Sequence, residues 1–438
     1  MELEENVLHI RQASRLHLVG ARIVDPATQL DTVSDLVIEN GTIQRIGSTE
    51  EVPGEERINL SGKLVTPGWF DLHVHFREPG KEVAETIASG CLAALSGGFT
   101  GVAVMPNTNP PLDHAGVVSW VKNQATPFPI DLQVVAAVSK GRQGKELVEM
   151  AELCEHGVRA FSDDGSPVAS SWLLRHALEY ANMLGAVICE HAEDRDLAAN
   201  GVIHEGAVAT RLGLPGIPSV AETLGVLRAL LLAEYIGARV HLCHISTAGA
   251  VEWVRWAKNR GIRVTTEVTP HHLLLTDEAC STFDTSTKMN PPLREETDRQ
   301  ACLEALADGT IDVLATDHAP HPFEDKACEF EQAPFGIIGL ETALGLYFTH
   351  LCPRYVSLHK LLEKVVTMPR RVLGLPPVLI AEGEKANLTL IDPDAKWTVV
   401  PDEFLSKSRN TPFTGWTLKG RAIGTISHGQ FWIREDAF

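Results

Sequence analysis

The sequence predicts an α/β protein, a (β/α)8 barrel that carries a small β-sandwich domain built from both ends of the chain. Three observations predict it. Between about residues 66 and 375, short apolar runs alternate with helix-length stretches, and eight such units can be counted. The two ends instead read as period-two strands punctuated by glycine turns. The polar residues of the middle gather where its apolar runs stop, at the rim on which barrels of this kind place their chemistry.

In chain order, residues 16–65 alternate apolar and polar side chains. Leu36-Val-Ile-Glu-Asn-Gly-Thr-Ile-Gln-Arg-Ile46 is two such runs about Asn40-Gly41, a pair that accepts the positive φ of a two-residue hairpin turn. The C-terminal end is alike, with Ala386-Asn-Leu-Thr-Leu-Ile391, Trp416-Thr-Leu and Phe431-Trp-Ile separated by glycines. Neither end is large enough for a good core alone. Residues 1–66 and 378–438 are therefore expected to form one discontinuous β domain, with 67–377 as the barrel. Barrel strands are expected at 68–76, 100–105, 131–138, 158–161, 186–189, 239–244, 263–268 and 311–315, and helices at 83–96, 170–184, 219–236 and 247–258. No G-x-G-x-x-G follows the first strand and no G-x-x-x-x-G-K-[ST] occurs, so nucleotide-binding readings lose their main support. Residues 318–340 are too polar for a strand and too broken by proline and glycine for a helix. They read as a long, mobile surface loop after strand eight, where barrel enzymes carry lids.

Composition narrows the function classes. The 438 residues hold 38 basic and 57 acidic side chains, and a net charge of −19 argues against nucleic acid or an anionic membrane as partner. No run of 18 apolar residues exists, and the best stretch, 224–236, carries Arg228 and Glu234, so no transmembrane helix is expected. The acidic start Met1-Glu-Leu-Glu-Glu is unlike a secretory signal. Eight cysteines without a CxxC pair suit reduced thiols in a cytoplasmic protein. A small-molecule substrate and a homo-oligomer are the expectation.

Strand one ends in Asp71-Leu-His-Val-His-Phe-Arg77. Positions i and i+2 of a strand share a face, so His73 and His75 point together into the barrel mouth, a natural ligand pair for zinc or a similar borderline metal. Strand four ends in Ser162-Asp163-Asp164-Gly165, strand five in Glu190-His191, strand six in His244 and strand eight in Asp317-His318. Four histidines and two carboxylates on five strand ends exceed the needs of one tetrahedral zinc, and a two-metal site fits the count better. A lone Asp after a strand is more often a helix cap, and either Asp163 or Asp164 can be a plain turn residue before Gly-Ser-Pro. The coincidence of five strand ends outweighs these readings. His271-His272, after strand seven, is held open as support for the ligands.

The run Gly68-Trp-Phe-Asp-Leu-His-Val-His-Phe-Arg-Glu-Pro-Gly80 resembles the first metal-binding signature of class I dihydroorotases, members of the amidohydrolase superfamily. Met105-Pro-Asn-Thr108, Phe161-Ser-Asp-Asp-Gly165, Cys243-His-Ile-Ser246, Lys288-Met-Asn-Pro-Pro-Leu-Arg294 and Ala315-Thr-Asp-His-Ala-Pro-His321 follow in the family's order, and the resemblance spans nearly the whole chain. It implies that His73, His75 and Asp317 bind one zinc, that His191 and His244 bind a second, and that Asp164 bridges the two with a hydroxide. Many relatives bridge with a carboxylated lysine on strand four, but 158–165 contains no lysine; Lys140, ending strand three, bridges only if the strand register is wrong. Asp164 is preferred to Asp163 by the family's spacing to the strand-five histidine.

The same resemblance implies zinc-dependent, reversible cyclisation of N-carbamoyl-L-aspartate to dihydroorotate in pyrimidine synthesis. Hydroxide is the nucleophile in the hydrolytic direction and Asp317 the general acid and base. Arg77 lies two residues beyond His75 and shares its face while strand geometry persists; by the resemblance Arg77, Asn107 and His321 form the pocket for the substrate carboxylate, and Asn290 with the backbone at Phe335 and Gly336 contacts the ring. Against this, Arg77 can pair with Glu78 or Glu82 at the surface, and Asn107 can be a turn residue of Pro-Asn-Thr-Asn-Pro. A hydantoinase or allantoinase is expected to carry the strand-four lysine and to lack Arg77. A non-catalytic scaffold for aspartate transcarbamoylase is expected to have lost ligands, yet all six positions are filled; association with that enzyme stays compatible with catalysis.

Overall fold

The computed structural model describes residues 8–47 and 55–434; the acidic run at 1–5 lies outside them. Eight parallel strands, Trp69–Val74, Phe99–Val104, Asp131–Ala136, Ala160–Phe161, Val187–Glu190, Val240–Leu242, Val264–Val268 and Val313–Leu314, pair in sequence order. A parallel bridge between Val74 and His318 joins the last strand back to the first and closes the barrel. These runs are apolar without alternation because both faces are covered, by the interior on one side and by helices on the other. Phe70, Leu72, Val135, Val187 and Val313 belong to the interior cluster, and burying each such side chain is worth about 1.5–3 kcal/mol.

Several strands end earlier than expected, although strands four and seven end as expected and strand five runs one residue further, to Glu190. Strand one stops at Val74 rather than at residue 76, and strand six at Leu242 rather than 244. Beyond these ends the backbone N–H groups of His75 and Cys243 still donate to His318 O and Glu190 O at 2.8 and 3.0 Å, while the side chains of His75, Arg77 and His244 line the barrel mouth. His244 and Arg77 do so with φ of 30° and 58°, a left-handed backbone in which strand alternation no longer sets side-chain direction.

The helices start where side-chain caps allow. Ile87–Ser96 begins four residues later than expected, because Thr86 and Ser89 form a reciprocal capping box and the Glu78 carboxylate accepts from Ile87 N at 2.6 Å. Ser171–Met183 and Ala248–Asn259 are capped by Ser170 and Thr247, and Ser219–Ile236 ends on left-handed Gly237.

Both ends of the chain enter one eight-stranded sheet. Its order is Gln430–Ile433, Thr417–Ser427, Leu388–Thr398, Leu64–Pro67, Arg15–Asp25, Leu30–Glu39, Thr42–Ile46, with Glu56–Asn59 paired to Arg15–Asp25. The two halves share one core that includes Leu18, Leu36, Ile43, Leu388 and Ile426. Asn40 and Gly41 make the hairpin turn with φ of 48° and 72°.

Residues 318–340 form the expected surface loop, with its turns anchored from beneath. Phe323–Lys326 is a short helix, and His318 bridges Ile337. The ammonium of Lys326, buried, donates to the carbonyls of Thr285, Lys288 and Pro334 at 3.0, 3.4 and 2.7 Å. Lys288 donates to Phe330 O and Glu331 O, both at 2.8 Å. The turns are thus packed down by two lysines whose partners are backbone carbonyls. No helix among the described residues is long and apolar enough to cross a membrane.

Candidate metal centre

The C-terminal ends of the strands bring His73, His75, Asp164, His191, His244 and Asp317 together, each at most 7% exposed. Asp164 is the hub. Its carboxylate lies 3.5 Å from His73 Nε2, 3.4 Å from His75 Nε2, 3.6 Å from His191 Nδ1 and 3.4 Å from His244 Nε2. Asp317 Oδ1 lies 3.0 Å from His75 Nε2 and 3.6 Å from His73 Nε2. His191 Nδ1 and His244 Nε2 face one another at 3.2 Å.

Neighbouring groups fix the way these rings point. His73 Nδ1 is 2.6 Å from Glu267 Oε1, and His75 Nδ1 is 2.7 Å from Asn107 Oδ1. A neutral imidazole that donates through Nδ1 presents a bare lone pair on Nε2, so both rings aim an acceptor nitrogen at the two aspartates. Such acceptor–acceptor contacts are unfavourable unless a proton or a cation lies between them. His73 Nε2 is buried and has no hydrogen-bond partner among the described residues. The donor atoms of His73, His75 and Asp317 lie within 4.8 Å of one another, as do those of His73, Asp164 and His244. This set of imidazole nitrogens and carboxylate oxygens fits divalent cations of borderline softness.

The charges follow from the same crowding. Burial opposes ionisation of Asp164, but His73 foremost, with His191 and His244, outweighs it and holds its carboxyl well below the usual range. Asp317 is likewise lowered, burial being outweighed by His75 and His73. For His73, burial disfavours the cation, and Asp164 with Glu267 overcomes this and raises its pKa.

The alternatives open at residues 163 and 140 separate cleanly. Asp163 accepts from Val138 N at 2.9 Å and Ser139 N at 3.1 Å, and also from the Ser139 hydroxyl, so its carboxylate is spent on the strand-three turn. Lys140 is exposed and paired with Glu146. Asp164 alone of the three faces the histidines.

A cavity of about 150 Å³ opens onto the cluster and is lined by Arg77, Asn107, Asn290, His321, Phe335 and Gly336 together with His75, Asp164, His191, His244 and Asp317. Arg77 is there by a route other than the expected one. The strand has ended, and the left-handed backbone swings its side chain inward, where Nε donates to Pro320 O at 3.1 Å and Nη2 lies 3.3 Å from His321 Nε2. Burial lowers its pKa to about 10, so it remains a cation at neutral pH. Glu78 and Glu82, its alternative partners, accept instead from Ile87 N and Gly80 N. Asn107, half-buried, lends its oxygen to His75 besides lining the cavity. Asn290 Nδ2 is 3.4 Å from His191 Nε2. His272 is held by Thr269 Oγ1 and Pro291 O at 2.8 and 2.9 Å, beside Asn290, and His271 packs on it with ring centroids 4.5 Å apart.

Three other groups escaped the sequence reading. Glu267 accepts from His73 and, through Oε2 at 3.1 Å, faces His241 Nε2. His241 is buried in the strand Val240–Leu242, just before His244. Asn410, from the C-terminal segment, reaches the loop after strand eight. A glutamate inside the strand Val264–Val268 was the one available signal.

With that geometry established, comparison with known proteins decides the family. The family described as Dihydro-orotase-like matches residues 62–250. The dihydroorotase of Pelotomaculum thermopropionicum is 50% identical over 96% of this chain and 99% of its own. The chain belongs to the dihydroorotase family. A second dihydroorotase, from Syntrophus aciditrophicus, is 47% identical over 96% of this chain and 100% of its own. Among solved structures, the L-hydantoinase (dihydropyrimidinase) from Arthrobacter aurescens superimposes with a TM-score of 0.84 at 25% identity, covering 94% of each chain. The D-hydantoinase from Thermus sp. gives 0.80 at 26% identity, covering 97% of this chain and 96% of that one. This dihydroorotase family member thus shares its barrel with enzymes named for other cyclic amides.

Proposed function

We propose that the chain is a class I dihydroorotase, a hydrolase of cyclic amides that interconverts dihydroorotate and N-carbamoyl-L-aspartate. The family supports the reaction, and one observation carries the substrate: the Arg77 guanidinium is buried in the wall of the cavity that opens on Asp164 and Asp317. A buried cation there needs an anionic partner, and a planar fork suits a carboxylate such as the one on the dihydroorotate ring.

His73, His75 and Asp317 would hold one zinc, His191 and His244 a second, and Asp164 would touch both. When bound, the two ions would lower the pKa of a water and polarise the ring amide carbonyl. The protein's own part is positional and protonic. Glu267 and Asn107 fix the tautomers of His73 and His75. Arg77, with Asn107 and His321, anchors the substrate carboxylate, while Asn290 and the Phe335–Gly336 backbone meet the ring. As water oxygen bonds to the carbonyl carbon and the ring carbon–nitrogen bond breaks, Asp317 accepts the water proton and returns it to the departing nitrogen. Ring closure is the reverse, with the proton moving from nitrogen to Asp317.

To the same reading belong a barrel at 67–377, a β domain from 1–66 and 378–438, and a homo-oligomer. Eight free thiols accord with a cytoplasmic setting. Association with aspartate transcarbamoylase is compatible with this activity and not required by it.

The test is dihydroorotate hydrolysis, followed by loss of ultraviolet absorbance, on purified protein whose zinc is measured in the same sample. Turnover with close to two zincs per chain is expected. Two zincs without turnover assign the site to another cyclic amide, and neither metal nor turnover leaves a scaffold.

A further inference from the structure

The cavity wall made by His321, Phe335 and Gly336 is stitched together from outside the barrel by one side chain. Asn410 is 6% exposed. Its Oδ1 accepts from His321 N at 3.2 Å, and its Nδ2 donates to Ala319 O at 3.1 Å and to Gly336 O at 3.0 Å. Its backbone carbonyl accepts from Ile338 N at 3.0 Å. One amide therefore clamps both legs of the loop after strand eight, at residues that line the cavity. It supplies a donor pair and an acceptor that no other standard side chain of that length offers.

The segment bearing Asn410 is itself tied down beside the metal ligands. Glu85 accepts from Ser406 Oγ and from Lys407 N, the latter at 3.1 Å, and its Oε2 lies 3.3 Å from His318 Nε2, next in sequence to Asp317. Glu341 accepts from Leu405 N and Ser406 N at 3.0 and 3.1 Å, and Ser408 Oγ donates to Ala84 O at 2.8 Å. Residues 405–410 thus run as a strap from the barrel's first loop to its last. The strap's last residue holds the main chain that carries His321, against which Arg77 packs at 3.3 Å.

We propose that Asn410 is a positioning residue for substrate recognition: it sets the His321–Gly336 wall against Arg77, and through that wall it sets affinity for the substrate carboxylate. The proposal rests on the dihydroorotase reading. The Asn410 side chain bonds His321, Ala319 and Gly336 and none of the six metal-ligand candidates, so its loss should move binding and leave metal in place.

The experiment compares wild-type, Asn410→Ala and Asn410→Asp full-length proteins, all loaded with zinc. It measures kcat and KM for dihydroorotate, Kd for orotate (the ring-oxidised analogue that keeps the carboxylate) and zinc per chain. For Asn410→Ala, kcat/KM is expected to fall at least tenfold, mainly through KM, with orotate binding weakened in parallel and zinc content at the wild-type level. Asn410→Asp keeps the acceptor for His321 N but turns an oxygen on two carbonyls, so it should fail in the same manner; it replaces the alanine variant should that one not fold. KM and orotate affinity within twofold of wild type, with zinc intact, overturn the proposal. So does a fall of kcat together with zinc content, which marks a merely structural role. Wild-type protein that neither turns over dihydroorotate nor binds orotate sinks the dihydroorotase reading itself, a result distinguishable from the other two.

Discussion

Glu267 Oε1 stands 2.6 Å from His73 Nδ1, and the same carboxylate reaches His241 Nε2 through its other oxygen at 3.1 Å. Both histidines outweigh the cost of its burial, so the group is held ionised and below the usual carboxylate range. A carboxylate behind a ligating imidazole fixes its tautomer and raises its basicity. Glu267→Gln keeps the shape and removes the charge. Zinc affinity is expected to drop about 10–100-fold, as read by competition with a chromogenic chelator; an unaltered affinity would take Glu267 out of the site.

Asp317 serves two roles in the proposed reaction, holding metal and carrying a proton. Asp317→Ala should abolish turnover nearly completely in the ultraviolet assay, and activity above a few per cent of wild type refutes the proton role.

Arg77 offers a planar fork from a left-handed backbone position. In Arg77→Lys a point charge replaces two parallel donors. A loss of kcat/KM of about 2 kcal/mol or more, some thirtyfold, is expected with dihydroorotate, on the scale of a charged hydrogen bond. Unchanged kinetics would mean that the carboxylate is held elsewhere.

Lys326 makes stability depend on pH. Burial, helped by Lys288, lowers its pKa to about 7. Between that value and the unfolded value near 10.4, the unfolded chain holds a proton that the folded chain has released, so folding stability rises with pH across this window. Below pH 7 both states are protonated and the contribution is flat. Relative to Lys326→Met, which cannot titrate, the wild type should gain about 2 kcal/mol between pH 7 and pH 9. Urea unfolding midpoints at the two pH values read this directly, and parallel pH slopes would show Lys326 to be charged throughout.

Much of this was legible along the chain because it is local. The Asn40-Gly41 hairpin follows from two positive φ values, and the barrel strands follow from apolar runs that need cover on both faces. The spacing of His73 and His75 placed two imidazoles on one side, and both point at Asp164 and Asp317. Arg77 reached its expected cavity for a different reason, since period-two alternation had already ended at Val74. The loop after strand eight was legible as a loop, but its anchoring was not, because Lys326 and Lys288 find their partners in backbone carbonyls, which sequence composition does not display.

The sequence by itself determined the barrel, the β-rich ends and the kinds of donor atom on each strand end, since periodicity and side-chain chemistry are properties of neighbouring residues. Only the tertiary structure decided which of Asp163 and Asp164 faces the histidines, which carboxylate stands behind His73, and that Asn410 closes the cavity wall. Those are relations between residues far apart in the chain. They depend on angles of a few strand ends and on which hydrogen bonds remain open once the barrel has closed, and no local pattern encodes either.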